Sequence, residues 1–269
     1  CLNNGDFGRR LAETCRIYAG GVIEKEIEWG DGFNIERVKK DIDESGAHVL
    51  ALVQNETSTG VTNAIEAICK YAKSRGMLVL LDTVSAFIGI PLDMRGWGVD
   101  IAVAGSQKCI GAPPGMALIG INEGAVKKIN DNEIRSYYLN LKKCLKYKEK
   151  EETPYTPAVT LYYALDAAIE EVEREGLKNI QERHRRTAEF VRNELVKRGY
   201  KLVAEKGFES PTVTAFWGDG KLKDELKKRG VIIAGGQGKL KGKILRIAHL
   251  GKFKPEWYKQ LFEMIDEIG

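Results

Sequence analysis

The sequence predicts an α/β protein: a mostly parallel sheet flanked by helices, followed by a smaller α+β portion. Three observations carry this. Residues 48–53, 77–82 and 100–104 are strand-sized apolar runs without alternation, the pattern of strands buried on both faces. Between the first two lies a stretch, 64–75, that puts Ile65, Ile68, Cys69 and Ala72 on one helical face and is closed by Gly76, so strand, helix and strand form a crossover unit. Beyond Gly176, helical and strand patterns mix without that regular alternation, as in a small α+β domain. The expected division is residues 1–175 and 176–269.

The elements follow in order. Cys1-Leu-Asn-Asn-Gly-Asp-Phe-Gly8 reads as a strand end entering a loop, with residues 7–18 as the next helix. Residues 22–28 alternate like a half-exposed strand, and 35–42 carry apolar residues at helical spacing. The strand at 100–104 turns through Gly105-Ser-Gln-Lys-Cys-Ile-Gly-Ala-Pro-Pro-Gly115 into a further strand at 116–121. Residues 123–129 suggest a short helix, and 142–152 a charged, solvated connection. A long helix over 158–175 has Leu161, Leu165, Ala168 and Ile169 as its expected buried stripe. After it come a helix to Gly199, strands at 200–203 and 212–217, a helix to Lys228, strands at 231–234 and 244–248, and a last helix over 255–268.

Composition narrows the function classes. With 43% hydrophobic and 30% charged residues, the chain is of ordinary globular type. Its net charge of +4 comes from 42 basic and 38 acidic residues mixed along the sequence, without the clustered basic residues of a nucleic-acid surface. Apolar runs are too short for a membrane span, and no signal peptide is visible. Five cysteines without close pairing suit a reducing cytoplasm. The Lys/Glu/Arg/Ile-rich, Gln-poor composition is of the kind found in thermophiles. Asn55-Glu-Thr57 matches a glycosylation sequon, which has no meaning without secretion. No P-loop is present, and Gly235-Gly-Gln-Gly238 does not complete a dinucleotide fingerprint because Lys241 stands at the last glycine position. His48, His184 and His249 lack metal-ligand spacing, and His184 reads as a solvated helix residue.

The chemistry concentrates at three strand ends. Residues 77–82 end on Asp82 followed by Thr83-Val-Ser-Ala86, the strand at 100–104 runs into the loop bearing Lys108, and residues 48–53 run into Gln54-Asn-Glu-Thr-Ser-Thr-Gly60. Ligands of parallel α/β sheets bind outside the carboxyl ends of the strands. An amine, a buried acid and a hydroxyl-rich loop there are the equipment expected around pyridoxal 5'-phosphate (PLP), where a lysine forms a Schiff base and an acid pairs with the pyridinium nitrogen.

The segments Asn55-Glu-Thr-Ser-Thr-Gly-Val61, Leu81-Asp-Thr-Val-Ser85 and Gly105-Ser-Gln-Lys-Cys-Ile-Gly-Ala-Pro-Pro-Gly115 together resemble the class V aminotransferases, PLP enzymes of fold type I that include the alanine–glyoxylate and serine–pyruvate types. The resemblance runs from the first residues to Gly251. It implies a cofactor-binding large domain over 1–175 and a small C-terminal domain over 176–269. It further implies that Lys108 is Schiff-base lysine and general base, that Asp82 holds the ring nitrogen, and that Thr57 lies near the ring hydroxyl. Phe7 would stack on the ring, Val84 pack beneath it, and Gln107 and, more weakly, Ser106 bind the phosphate. Thr156, in Thr153-Pro-Tyr-Thr-Pro157, would reach the phosphate of a neighbouring subunit, which implies a homodimer with a shared site; Thr and Pro before a helix are also ordinary capping residues. Arg246, flanked by Leu245 and Ile247, would bind the substrate carboxylate through its planar fork.

The implied reaction moves an amino group from a small amino acid to a 2-oxo acid. A cysteine desulfurase fits less well: the last cysteine is Cys144, and Gln107 stands where those enzymes generally carry His. A third alternative is a dimerising remnant that no longer turns over. The family's N-terminal part, with its Ser/Gly-rich phosphate loop, has no counterpart ahead of Cys1, so these residues alone are expected to hold PLP weakly.

Overall fold

A computed structural model describes residues 1–268. The elements, in chain order, are β1 (Leu2–Asn3), α1 (Asp6–Tyr18), β2 (Lys25–Glu26), α2 (Ile35–Glu44), β3 (Val49–Val53), β4 (Asn55–Glu56), β5 (Val61–Thr62), α3 (Ile65–Ser74), β6 (Leu78–Asp82), α4 (Met94–Trp97), β7 (Ile101–Gly105), β8 (Ala117–Ile121), α5 (Glu123–Asp131), α6 (Leu141–Lys148) and α7 (Val159–Glu175). They continue with α8 (Leu177–Lys197), β9 (Val213–Trp217), α9 (Gly220–Lys228), β10 (Ala234–Gly235), β11 (Ile244–Ala248) and α10 (Pro255–Ile268).

The main sheet has the order β3-β6-β7-β8. The first three strands are parallel, with Val53 beside Asp82 and Asp82 beside Val103, so their carboxyl ends are level. β8 runs antiparallel because a loop, not a crossover helix, returns the chain from β7. The buried Asp100 carboxylate fixes the entering end of this array: it accepts from Lys73 Nζ (2.6 Å), Asn122 Nδ2 (2.7 Å) and the Val79 amide (2.8 Å). Val79 and Leu81 point from β6 into a core with Leu50, Leu52, Val38, Ile65 and Ile68. The opposite face is less covered than unbroken apolar runs imply, since Leu80, Ile101 and Val103 are half-buried and Ile119 is exposed.

A second, antiparallel sheet, β10-β11-β9, packs through Phe216, Leu245 and Ile247 on α8, α9 and α10. Gly176, left-handed at φ +82°, separates α7 from α8.

Several expectations are corrected. The strand expected over 22–28 shortens to β2, because β1 offers only two residues to pair with. At 200–203 only a single bridge forms, Leu202 to Phe216, and 231–234 contributes only to the two-residue β10. The charged connection at 142–152 contains α6, started by Asn140, whose side chain accepts from the Lys143 amide. On α7 only Leu165 of the expected stripe is buried, while Val159, Tyr162, Tyr163 and Ile169 face outward.

His184 is fully buried, not solvated, with Nδ1 on the Ile180 carbonyl and its ring edge-on to Phe253. The fully buried His249 donates from Nδ1 to the Pro211 carbonyl, which leaves Nε2 to accept from the Thr214 hydroxyl. Burial pushes its pKa down to about 3. The unfolded chain therefore takes up a proton near the ordinary histidine value of about 6.5 that the folded chain refuses until about pH 3, and stability falls as pH drops through that window. The slope amounts to about 1 kcal/mol per pH unit. Urea unfolding at pH 7, 6 and 5 should show it, and His249→Asn should reduce it, with the buried His184, whose pKa burial also lowers, contributing in the same direction.

Candidate active site

The parallel register of β3, β6 and β7 delivers Asn55–Gly60, Asp82 and the Lys108 loop to one edge of the sheet. Asp82 ends β6 half-buried, and its Oδ1 accepts from the Val84 amide (2.8 Å). Its Oδ2 has no hydrogen-bond partner among the described residues. Burial raises the Asp82 pKa, and the Lys108 ammonium opposes that rise. The carboxyl is thus partly desolvated and open to a cationic N–H donor.

After β7, the loop is built on Ser106. The Ser106 amide donates to the Met116 carbonyl, its hydroxyl donates to the Pro113 carbonyl (2.7 Å), and that hydroxyl accepts from the Met116 amide. Ser106 is buried and its hydroxyl proton is spent inside the loop, so the structure gives it a scaffolding position and not a free donor. Gln107 is exposed and Lys108 half-buried, and Lys108 Nζ makes no hydrogen bond or ion pair with the described residues. A Cβ on Gly105 would stand 2.8 Å from Gln107 Oε1 and 3.4 Å from Val84 Cγ1, so glycine keeps the strand end clear. The loop after β6 carries a constraint no pattern reveals: Ile88, β-branched, sits at φ +74°, at a cost of roughly 1–2 kcal/mol.

Thr57, in the turn after β4, and Arg246, on β11, meet although they are far apart in the chain. Arg246 Nη1 donates to the Thr57 carbonyl (2.9 Å) and Nε to the Gly235 carbonyl (2.8 Å), which fixes the plane of the guanidinium and leaves Nη2 without a protein partner among the described residues. Burial lowers the Arg246 pKa, and the carboxylates of Glu56 and Asp6 oppose this. The fork stays charged at neutral pH.

Sequence reasoning missed Glu56. Its buried carboxylate accepts from the Phe7 and Gly8 amides at the start of α1 (3.1 and 2.9 Å) and from the amide and hydroxyl of Ser58 (3.0 and 2.5 Å). Burial raises its pKa against these four bonds. One side chain thus ties the Phe7 backbone to the turn whose Thr57 carbonyl holds Arg246. Glu56→Ala would leave four buried donors unpaired and should cost about 3 kcal/mol or more, read as a lower denaturation midpoint. The sequence signal was only a Glu within a hydroxyl-rich loop.

The supposed sequon is closed off: Asn55 Nδ2 donates to Ser85 Oγ (2.8 Å) and Thr212 Oγ1 (2.9 Å), joining the loops after β3 and β6 to the C-terminal part. Phe7 is half-buried in the first turn of α1, under the Arg10 guanidinium. Val84 is half-buried beside Gly105. Thr156 is exposed, in a segment where Tyr155 stacks on Tyr138, and its side chain makes no hydrogen bond among the described residues. No group of three or more metal-ligating side chains occurs among the described residues.

The family description Aminotransferase class-V matches residues 25–237. The chain belongs to the class V aminotransferases. It is 40% identical over 257 residues to an uncharacterized aminotransferase of Methanocaldococcus jannaschii, covering 92% of this chain and 66% of that one. It is 31% identical to L-aspartate–glyoxylate aminotransferase of Paracoccus denitrificans, with 92% and 66% covered. The structure of an alanine–glyoxylate aminotransferase from Nostoc sp. superposes with a TM-score of 0.94 at 30% identity, covering 99% of this chain and 74% of that one. This class V chain spans about two thirds of the length of the curated relatives it matches. Its fold is that of the fold-type I aminotransferases, as the sequence predicted. A cysteine desulfurase structure also superposes, but at 17% identity it shares the fold alone.

The family implies PLP, and the residues present fit it. Asp82 offers an open carboxylate oxygen, Lys108 an unengaged amine, and Gly105 a gap that a side chain would close.

Proposed function

We propose that this chain carries the catalytic centre of a PLP-dependent transaminase that moves an amino group from a small amino acid such as alanine or serine to a 2-oxo acid such as glyoxylate or pyruvate. The observation that supports it most is the pairing of Asp82 and Lys108 at level ends of neighbouring parallel strands, both with polar atoms left open toward the edge where such sheets bind ligands.

Bound PLP supplies an electron sink for the charge that develops when the substrate Cα–H bond breaks. Asp82 holds the ring nitrogen protonated, since an adjacent carboxylate favours the cation. Lys108 would hold the cofactor through Nζ, and its free amine would carry the Cα proton as general base. Phe7 and Val84 would confine the ring, Thr57 would lie by the ring hydroxyl, and Gln107 would bind the phosphate. Arg246 presents its open edge to the substrate carboxylate, fixing which bond at Cα faces Lys108. Relatives whose names specify an acceptor name glyoxylate or pyruvate, which favours a short 2-oxo acid.

A homodimer belongs to this reading. Val159, Tyr162, Tyr163 and Ile169 form an exposed apolar face on α7, beside the exposed Thr156. A second copy covering that face would bring Thr156 to the partner's phosphate. Visible absorbance of the protein with added PLP tests the whole reading. It predicts, at PLP concentrations raised until binding saturates, a lysine-bound band that an amino donor bleaches and a 2-oxo acid restores; a spectrum that stays that of free PLP throughout the titration refutes it.

A further inference from the structure

Strand β11 carries Arg246 and then turns through Ala248–Phe253 against the loop of Lys108. Gly251, at φ +66°, is the point of contact: a Cβ there would lie 2.9 Å from the Lys108 carbonyl oxygen and 3.5 Å from Gly111 Cα. That same carbonyl accepts from the Gly111 amide (3.0 Å). Cys109, the next residue, is buried with its thiol on the Ser85 carbonyl and against the Gly251 and Gly89 amides. The backbone on the C-terminal side of Lys108 is therefore seated on this turn.

The turn is itself held from behind. Tyr258 donates its hydroxyl to the Ala248 carbonyl (3.0 Å). Arg183, on α8, donates from Nη1 to the Gly251 carbonyl (3.0 Å) and lies over the Phe253 ring. Its Nε and Nη2 grip both oxygens of Glu175, the last residue of α7, at 2.6 and 3.0 Å. A guanidinium that spends its fork on one carboxylate and its remaining edge on one carbonyl has a single orientation, so Gly251 inherits a fixed position from two helices.

We propose that Arg183 is a positioning residue for Lys108: it locks the turn after β11 onto the Lys108 backbone, so that the strand bearing Arg246 and the loop bearing Lys108 move as one unit. The distance between the carboxylate-binding fork and the amine is then set by Arg183 and Glu175, neither of which touches a substrate. The catalytic meaning of this rests on the function proposed above; the mechanical coupling does not, and its test uses no cofactor.

The test is competitive acetylation by limiting acetic anhydride at pH 7 to 10, with the Lys108 rate read by peptide mass spectrometry and normalised to the unfolded chain. Arg183→Met should release the half-buried Lys108 and raise its rate at least about 3-fold, with lysines of α3 and α9 unchanged. Arg183→Lys, which can still reach one carbonyl, should restore part of the protection. Gly251→Ala should move Lys108 in the same assay by pressing on its carbonyl. If Arg183→Met does not fold, Glu175→Gln, which loosens the fork and keeps Arg183, decides on the same readout. A Lys108 profile that coincides with the unsubstituted protein's in the folded variants overturns the proposal. In the PLP-loaded enzyme the same release should lower kcat more than it raises KM, because a misplacement of about 1 Å at the reacting amine costs up to ~100-fold.

Discussion

Lys108→Ala abolishes measurable transamination, because one substitution removes both the covalent anchor and the group that moves the Cα proton. Losing a positioned general base alone costs roughly 100- to 10,000-fold, and loss of the anchor adds weaker retention of the ring. Fold and stability should hardly change: Lys108 Nζ has no partner among the described residues, and the loop is kept by backbone bonds and the Ser106 hydroxyl. The check is single-turnover kinetics with saturating PLP, alongside circular dichroism. Added methylamine, a small replacement base, should restore a fraction of the rate in Lys108→Ala. Activity near that of the unsubstituted protein would remove Lys108 from the chemistry.

Arg246→Ala raises KM for both the amino acid and the 2-oxo acid. A bidentate charge-assisted contact to a carboxylate is worth roughly 1.5–3 kcal/mol, or about 10- to 100-fold in affinity. PLP binding should persist, since no ring contact is lost. Some destabilisation accompanies the change, because the Thr57 and Gly235 carbonyls lose their donor and the buried Glu56 carboxylate loses a nearby cation. Arg246→Lys separates the two effects: it keeps the charge and gives up the fork, so stability should recover more than KM does. An unchanged KM for both substrates would make Arg246 a structural residue.

The sequence made the main sheet legible because its strands are apolar runs ended by Asp82, Gly105 and Gln54, and because Gly76 marks a helix end. Lys108 and Asp82 could be paired on strand order alone. What the sequence concealed depends on contacts between distant segments. His184 looks like any charged-helix histidine until Phe253 folds over it, and the outward Tyr162 and Tyr163 share the helical spacing of a buried stripe. The short strand β2 is limited by the two residues of its partner β1 and not by its own residues. Glu56 stayed hidden because its role is defined by the α1 amides, far away in the chain. Ser106, polar and next to Gln107, promised a ligand contact, but its hydroxyl is committed to Pro113.

The central claim is that Lys108 is the lysine that holds the cofactor. Borohydride reduction of the protein saturated with PLP, followed by peptide mapping, tests it most directly, since reduction fixes the pyridoxyl group on the nitrogen that carries it. The account predicts a stoichiometric label on the peptide containing Gly105-Ser-Gln-Lys108 and its loss in Lys108→Ala. A stoichiometric label on any other lysine would contradict it.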